Sequence, residues 1–257
     1  MADSLDDLKH KAILSHRILT MTGSMSDTTG HVMVRIPGSD EMLVRCRGPR
    51  DWSPRYVEEA AMHRLDFDGE PTEELGDWVI PPERFIGATV FRMRPEVNCA
   101  IHAHPPAQVL CSNTNVGLRP IVGSQNWGGS LLAMKRIPVY PRSLLIHSPE
   151  IGRSMMSVMG SKDVVLLKGH GNVVVGRSIE EATVRAIQIE NLARLCWQIA
   201  LSGLEGPDIP WEDVEDNAEM AVSEAARRGD SGSNPFWTYY VQLLERGWRI
   251  DATVKPV

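Results

Sequence analysis

Apolar residues recur at helical spacing near the start of the chain. Leu5, Leu8, Ala12, Ile13, Leu19 and Met21 predict an amphipathic helix over residues 5–22. TGSMSDTTGH, which follows, is polar and glycine-rich and reads as a loop. HVMVRIP then alternates, with Val32 and Val34 on one face and His31, Met33 and Arg35 on the other, the pattern of a half-buried strand. Pro37-Gly38-Ser39-Asp40 predicts a turn, and EMLVRCRG an antiparallel partner. Residues 55–80 form a polar stretch that ends in an expected strand, WVI. Pro81-Pro82 marks a helix start, with proline at the first helical position, and the helix is expected to run through ERFIGATVFRMR. Residues 98–104 read as a strand, with helical character resuming after Pro105-Pro106.

The region 119–150 is rich in Gly and Pro, with short strands expected near 137–140 and 144–146. A helix over 149–160, closed by Gly160, precedes the apolar VVLLK, expected to be a central strand. GHGN is a tight loop and VVVG another strand. Ser178 and Glu181 form a capping-box signature at the start of one long helix reaching Gly203. The tail is acidic and then helical, with a final helix from SGSNPF through FWTYYVQLLERGW. The pattern predicts one α/β domain over 1–205, with a mostly antiparallel sheet, and a helical extension over 206–257.

An apolar content of 42% in 257 residues is enough for a real core. The net charge of −6 gives no general attraction to polyanions and argues against a nucleic-acid partner, though a local cationic pocket stays open. The first eleven residues are charged throughout and lack a signal-peptide core. No run approaches the roughly 18 apolar residues of a membrane span. Cys46, Cys99, Cys111 and Cys196 show no paired spacing and read as buried free thiols. A cytoplasmic protein with no membrane partner is expected.

Candidate chemistry begins with His102-Ala-His104. Alternation along a strand puts both imidazoles on one face, about 7 Å apart at Cα, close enough to share an ion at roughly 2.0–2.2 Å. Pro105 stops the strand there, where a site opens to substrate. H-x-H alone is also an ordinary surface pattern. Gly169-His170-Gly171 adds a third histidine, sterically accessible between two glycines at a strand–strand turn. Three imidazoles with an open fourth position form the pattern of a catalytic divalent-metal site.

GHVMVR at 30–35, PPERFIGATVFRMRPEVNCAIHAHPPA at 81–107 and VVLLKGHGNVVVGRSIEEATVRAIQIENLA at 164–193 together resemble the class II aldolase/adducin family, over about three quarters of the chain. The resemblance implies an α/β/α sandwich around a mixed, largely antiparallel sheet, and a homotetramer with active sites near subunit interfaces. It assigns His102, His104 and His170 to a divalent metal and Glu83 to acid/base work or the metal. Sugar-phosphate aldolases of the family bind phosphate through a Gly-Asn loop and small hydroxyl residues. Here those places read Thr29-Gly30-His31 and Pro81-Pro82-Glu83. The pattern HRIL…GHVMVR…PERFIG…IENLARL is closer to the decarboxylase branch, which acts on hydroxylated aromatic or pyridine dicarboxylates. Gly87 stands where members of that branch often carry a histidine.

Decarboxylation leaves a carbanion that a chelated divalent ion delocalises, and the ring carbon then needs a positioned acid. Glu83 is the candidate, although a carboxylate in a first helical turn is also stabilised there without chemistry. His31 and Arg35, on one strand face, are candidates for a substrate carboxylate or for a surface pair. Arg47 and Arg50 offer guanidinium forks for carboxylate recognition. Ser124-Gln125-Asn126-Trp127 is a candidate pocket wall, and Tyr239 and Tyr240 either reach a neighbouring subunit's site or serve packing. His10, His16, His63 and His147 read as structural or surface residues. The metal is Zn, Mn, Fe or Co by donor type. The expected function is decarboxylation of an aromatic dicarboxylate such as 3,4-dihydroxyphthalate in aromatic catabolism. An aldolase acting on a sugar phosphate or pyruvate-type aldol, and a non-catalytic adducin-like module, are the alternatives.

Overall fold

The computed structural model describes residues 3–49, 53–121, 127–217, 220 and 234–247. Helix α1 (Leu5–Met21) begins with a reciprocal capping box between Ser4 and Asp7. Strands β1 (His31–Arg35), β2 (Glu41–Arg45) and β3 (Met62–Asp66) follow. Helix α2 (Phe85–Met93) leads into β4 (Cys99–Ala103). Next come α3 (Pro106–Asn113), α4 (Trp127–Met134), β5 (Val139–Tyr140) and α5 (Pro149–Met159). Strands β6 (Val164–Leu167) and β7 (Gly171–Gly176) precede the long α6 (Ile179–Ser202). Residues 211–217 are helical, and α7 (Pro235–Glu245) follows.

The strands form one sheet in the order β3-β2-β1-β4-β7-β6-β5. All neighbours are antiparallel except β5 and β6. Period-2 alternation sends Val32, Val34, Leu43, Ile101 and Val174 to one face, where they pack with α1, α4 and α6. Met33, Met42, Ala100, Val173 and Val175 point to the other face and pack with α2 and α5. The result is the α/β/α sandwich that the sequence predicts. Among the described residues no helix is long and apolar enough to cross a membrane.

Several local expectations are corrected. Strand β1 is buried on both faces, because helices cover both sides of the sheet. The polar stretch contains β3, whereas WVI contributes only an isolated bridge between Arg47 and Val79. Leu144–Ile146 is not a strand, since the Ile146 N–H goes to the Glu83 carboxylate instead of a ladder. Helix α4 occupies a region read as turns and strands. Its Gly128 meets the Gln188 side chain of α6 so closely that a Cβ would lie 2.0 Å from it, so tertiary packing sets this helix in place of propensity. At α6, Ser178 caps Glu181 N, but the Glu181 side chain accepts from Arg177 N, one residue earlier than in a capping box.

Candidate active site

Strand β4 lies at the middle of the sheet, with His31 of β1 and Val173 of β7 directly opposite His102. The strand ends at Ala103, so His104 stands just beyond it, before Pro105 stops the extended run. Between β6 and β7 the turn places His170 against the end of β4. Gly169 takes a φ of +63°, which favours glycine, and a Cβ on Gly171 would lie 2.1 Å from the Ala103 carbonyl oxygen. That close approach brings the His170 ring to the strand that carries the other two. Glu83 comes from a 3-10 turn (Pro82–Arg84) ahead of α2 and is buried. Its φ/ψ of −85°/15° departs from the helix.

The three rings surround one point, with centroids 4.8, 4.9 and 4.7 Å apart. One nitrogen from each, and one Glu83 oxygen, all lie within 4.8 Å of one another. His102 Nδ1 donates to the Asn172 carbonyl at 2.7 Å, which leaves its Nε2 facing His104 Nε2 at 3.0 Å and Glu83 Oε2 at 3.2 Å. His170 Nε2 is 3.5 Å from Glu83 Oε1 and is buried without a hydrogen bond. Buried orphan nitrogens are costly, and a cation is the partner that satisfies several converging lone pairs at once. Three imidazoles and one carboxylate therefore fit a divalent ion, a set of borderline nitrogens with one hard anionic oxygen that suits Zn, Mn, Fe or Co.

Electrostatics follow from this crowding. Burial resists charging His102, but the Glu83 carboxylate overrides it and holds His102 above its ordinary value. Burial, then the charge on His102, lowers His170. The same causes, joined by His170, bring His104 to about 4. Burial works to raise Glu83, yet His102, His170 and the Ile146 N–H hold it well below the carboxylate range, so it is ionised.

Other sequence-predicted residues divide. His31 is buried opposite His102, and its Nδ1 has no hydrogen-bond partner. Burial, then the Arg45 charge, keeps it neutral. Arg47 lies near this end of β1, donating to the Thr28 carbonyl at 3.4 Å. Arg35 is a correction. It stands at the opposite end of β1, where its guanidinium donates to the carbonyls of Val97, Phe91 and Arg94 and lies over the Phe67 and Phe91 rings. Strand alternation gives His31 and Arg35 one face but separates them by about 13 Å along it. Tyr239 is half-exposed on α7, which packs through Trp237, Tyr240, Val241 and Leu244 on the α1/α6 side of the sheet. Within one chain it is therefore not brought to the cluster. Arg50 and Ser124-Gln125-Asn126 lie outside the described residues. Gly87 packs under Met33, whose sulfur would be 2.7 Å from an added Cβ.

Sequence reasoning missed Arg45, Asn172 and the Ile146 N–H. Arg45 sits on a strand in an otherwise apolar alternation, and a buried charge in such a run is its one visible signal. Its guanidinium is almost fully buried and donates to the Thr28 carbonyl at 3.3 Å. Asn172 follows His170 by two residues in GHGN, so proximity to the turn was its signal. Nothing in the sequence marks a backbone N–H.

A model of the Class II Aldolase and Adducin N-terminal domain matches residues 11–197. The 3,4-dihydroxyphthalate decarboxylase of Arthrobacter keyseri is 32% identical over 238 residues, covering 91% of this chain and 93% of that one. The protein of the same name from a Terrabacter species is 38% identical over 200 residues, 77% of this chain and 83% of that one. Among solved structures, an aldolase II superfamily protein from Pseudomonas syringae superposes with a TM-score of 0.75 at 18% identity, covering 96% of this chain and 95% of that one. At that identity the likeness speaks to the fold, and the fold agrees with the match in sequence. The chain belongs to the class II aldolase and adducin family.

Proposed function

We propose that this chain is a metal-dependent carboxy-lyase that decarboxylates a hydroxylated aromatic dicarboxylate such as 3,4-dihydroxyphthalate, within aromatic-compound catabolism. The observation that carries the reading is the convergence of Glu83, His102, His104 and His170 within 4.8 Å. The relatives named 3,4-dihydroxyphthalate decarboxylase, which span most of both chains, support this substrate class over a sugar phosphate. So does the chemistry of the neighbourhood, where Arg47 lies near the His31 end of β1 with a guanidinium of the kind suited to carboxylates.

His102, His104 and His170 would hold the divalent ion, with Glu83 completing the group or acting beside it. An ion held there would supply Lewis acidity that stabilises negative charge developing on the ring. Because Glu83 is ionised, it begins as a base. Its carboxylate accepts the proton of a substrate hydroxyl. The bond between the ring and the departing carboxylate then breaks, its electron pair stays with the ring, and carbon dioxide leaves. Glu83 returns the proton to the vacated ring carbon, and the product hydroxyl is reprotonated from solvent on release. One solvent proton is consumed per carbon dioxide formed. Arg47 and the neutral His31 hold the carboxylate that remains.

The same reading includes a homotetramer, in which Tyr239 reaches a neighbouring subunit, and residues 206–257 as an extension of the catalytic domain at 1–205. Half-exposed Phe236 and Tyr239 on a well-capped helix support a partner there. A cytoplasmic location is supported by four free, buried cysteines. The test is to supply 3,4-dihydroxyphthalate and measure carbon dioxide release, with sugar-phosphate and pyruvate-type aldols assayed in parallel for aldehyde release. Carbon dioxide from the aromatic acid is expected. Aldehyde release alone would assign the chain to aldol chemistry.

A further inference from the structure

Behind the histidines runs a buried line of polar side chains for which the proposed chemistry has no use. Ala103 N donates to Asn172 Oδ1 at 3.2 Å, and Asn172 Nδ2 donates to Gln108 Oε1 at 2.8 Å. Gln108 Nε2 in turn donates to Glu190 Oε2 at 3.4 Å. Asn172, Gln108 and Glu190 are each at most 1% exposed. A backbone N–H only donates and an ionised carboxylate only accepts, so the two ends fix which way both amides face. Glu190 also accepts from Ala107 N and Gln108 N, each at 3.3 Å, and from Arg194 Nε at 3.0 Å. Burial pushes its carboxyl up, and Arg194 and these backbone donors oppose the push.

Asn172 touches backbone next to the imidazoles, Gln108 joins its side chain to that of Glu190, and Glu190 holds the start of the helix that follows His104. The Asn172 carbonyl accepts the His102 Nδ1 proton and so fixes that ring's tautomer and angle. Asn172 Oδ1 holds Ala103 N, the peptide between His102 and His104. Asn172 itself is joined to His170 through Gly171. Glu190 secures the first free N–H groups of α3, directly after His104 and Pro105, while Ser112 of the same helix accepts from Gly169 N at 3.0 Å, just before His170. Glu190 lies in α6, inside an apolar stripe with Ala186, Ile187, Ile189 and Ala193. A charge there is costly unless it is fully hydrogen-bonded, as it is.

We infer that Asn172, Gln108 and Glu190 are positioning residues that hold the three imidazoles at one distance and angle for a divalent cation. The inference rests on the reading of the cluster as a cation centre. Gln108→Met keeps the volume and removes both side-chain hydrogen bonds. Glu190→Gln sets an amide donor against groups that only donate.

The experiment titrates the full chain, stripped with a chelator, with cobalt(II) chloride and records the dissociation constant and the visible ligand-field bands. No turnover is needed. Each folded variant is expected to bind cobalt about 10–100-fold more weakly, with shifted bands. Leu8→Ala, a core truncation in α1 away from the site, should lower the melting temperature and leave both cobalt readouts unchanged. If Glu190→Gln does not fold, Gln108→Met decides. Wild-type affinity and an unshifted spectrum in the folded variants would overturn the positioning role. If the unsubstituted chain takes up no cobalt, or His104→Ala binds it equally well, the cation centre itself is refuted and this inference with it.

Discussion

His16 allows a prediction whose size follows from the structure. The ring is fully buried between α1 and β1. Its Nδ1 donates to the Ala12 carbonyl at 2.8 Å and its Nε2 accepts from Val32 N at 3.1 Å. One nitrogen must carry a proton and the other must not, so only the neutral ring satisfies both bonds. Burial, and after it the charge of Arg45, lowers its pKa from 6.5 to about 3. The unfolded chain therefore takes up this proton first on acidification. Stability from His16 is complete above about pH 6.5 and is lost progressively as pH falls toward the folded value. Between about pH 7 and pH 5 the unfolded state gains roughly 2 kcal/mol from protonation while the folded ring gains almost nothing. His31 and His104 are also lowered, so the whole chain should lose more than this. Urea unfolding of the chelated protein at the two pH values, compared with His16→Gln, isolates the contribution. The variant is expected to lose about 2 kcal/mol less than the parent on acidification. Equal losses in the two chains, within about 0.5 kcal/mol, would refute the reasoning.

Glu83→Gln should retain the cation, because three imidazoles remain, but lose about 10²–10⁴ in kcat for carbon dioxide release. Metal analysis with steady-state kinetics checks this, and a fully active variant would remove Glu83 from proton transfer. His102→Ala and His170→Ala should each abolish turnover and leave less than stoichiometric metal after purification, read by elemental analysis. Arg35→Lys should leave KM for the aromatic acid within about twofold while lowering the melting temperature, because Lys cannot reproduce the guanidinium's contacts with three carbonyls. Gly171→Ala should destabilise the chain by more than about 1–3 kcal/mol, since its Cβ would meet the Ala103 carbonyl oxygen, which is backbone and cannot swing aside. Thermal unfolding tests it.

Much of the sheet was legible because strands buried on one or both faces write themselves as alternation or as short apolar runs. The H-x-H pair and the glycine-flanked His170 were legible for a related reason, since local geometry fixes where their side chains point. Glu83 was less so. Its sequence position suggests a helical first turn, whereas it sits buried in a 3-10 turn with non-helical φ/ψ. Arg35 shows the limit of periodicity, which reports a face but not which end of a strand lies near the chemistry. Strand β3, MHRLD, carries three ionisable residues in five and has no apolar alternation to read. Asn172, Gln108 and Glu190 are joined only by tertiary contact, so no spacing in the sequence connects them.

The pairing of β4 with β7 also sets when a cation could be captured. His102 rests on the carbonyl of a residue 70 positions later in the chain. A polypeptide emerging from the ribosome holds the first two imidazoles long before the third exists, and closing such a span is slow relative to local structure. Capture of a cation by all three imidazoles would therefore follow assembly of the sheet instead of templating it.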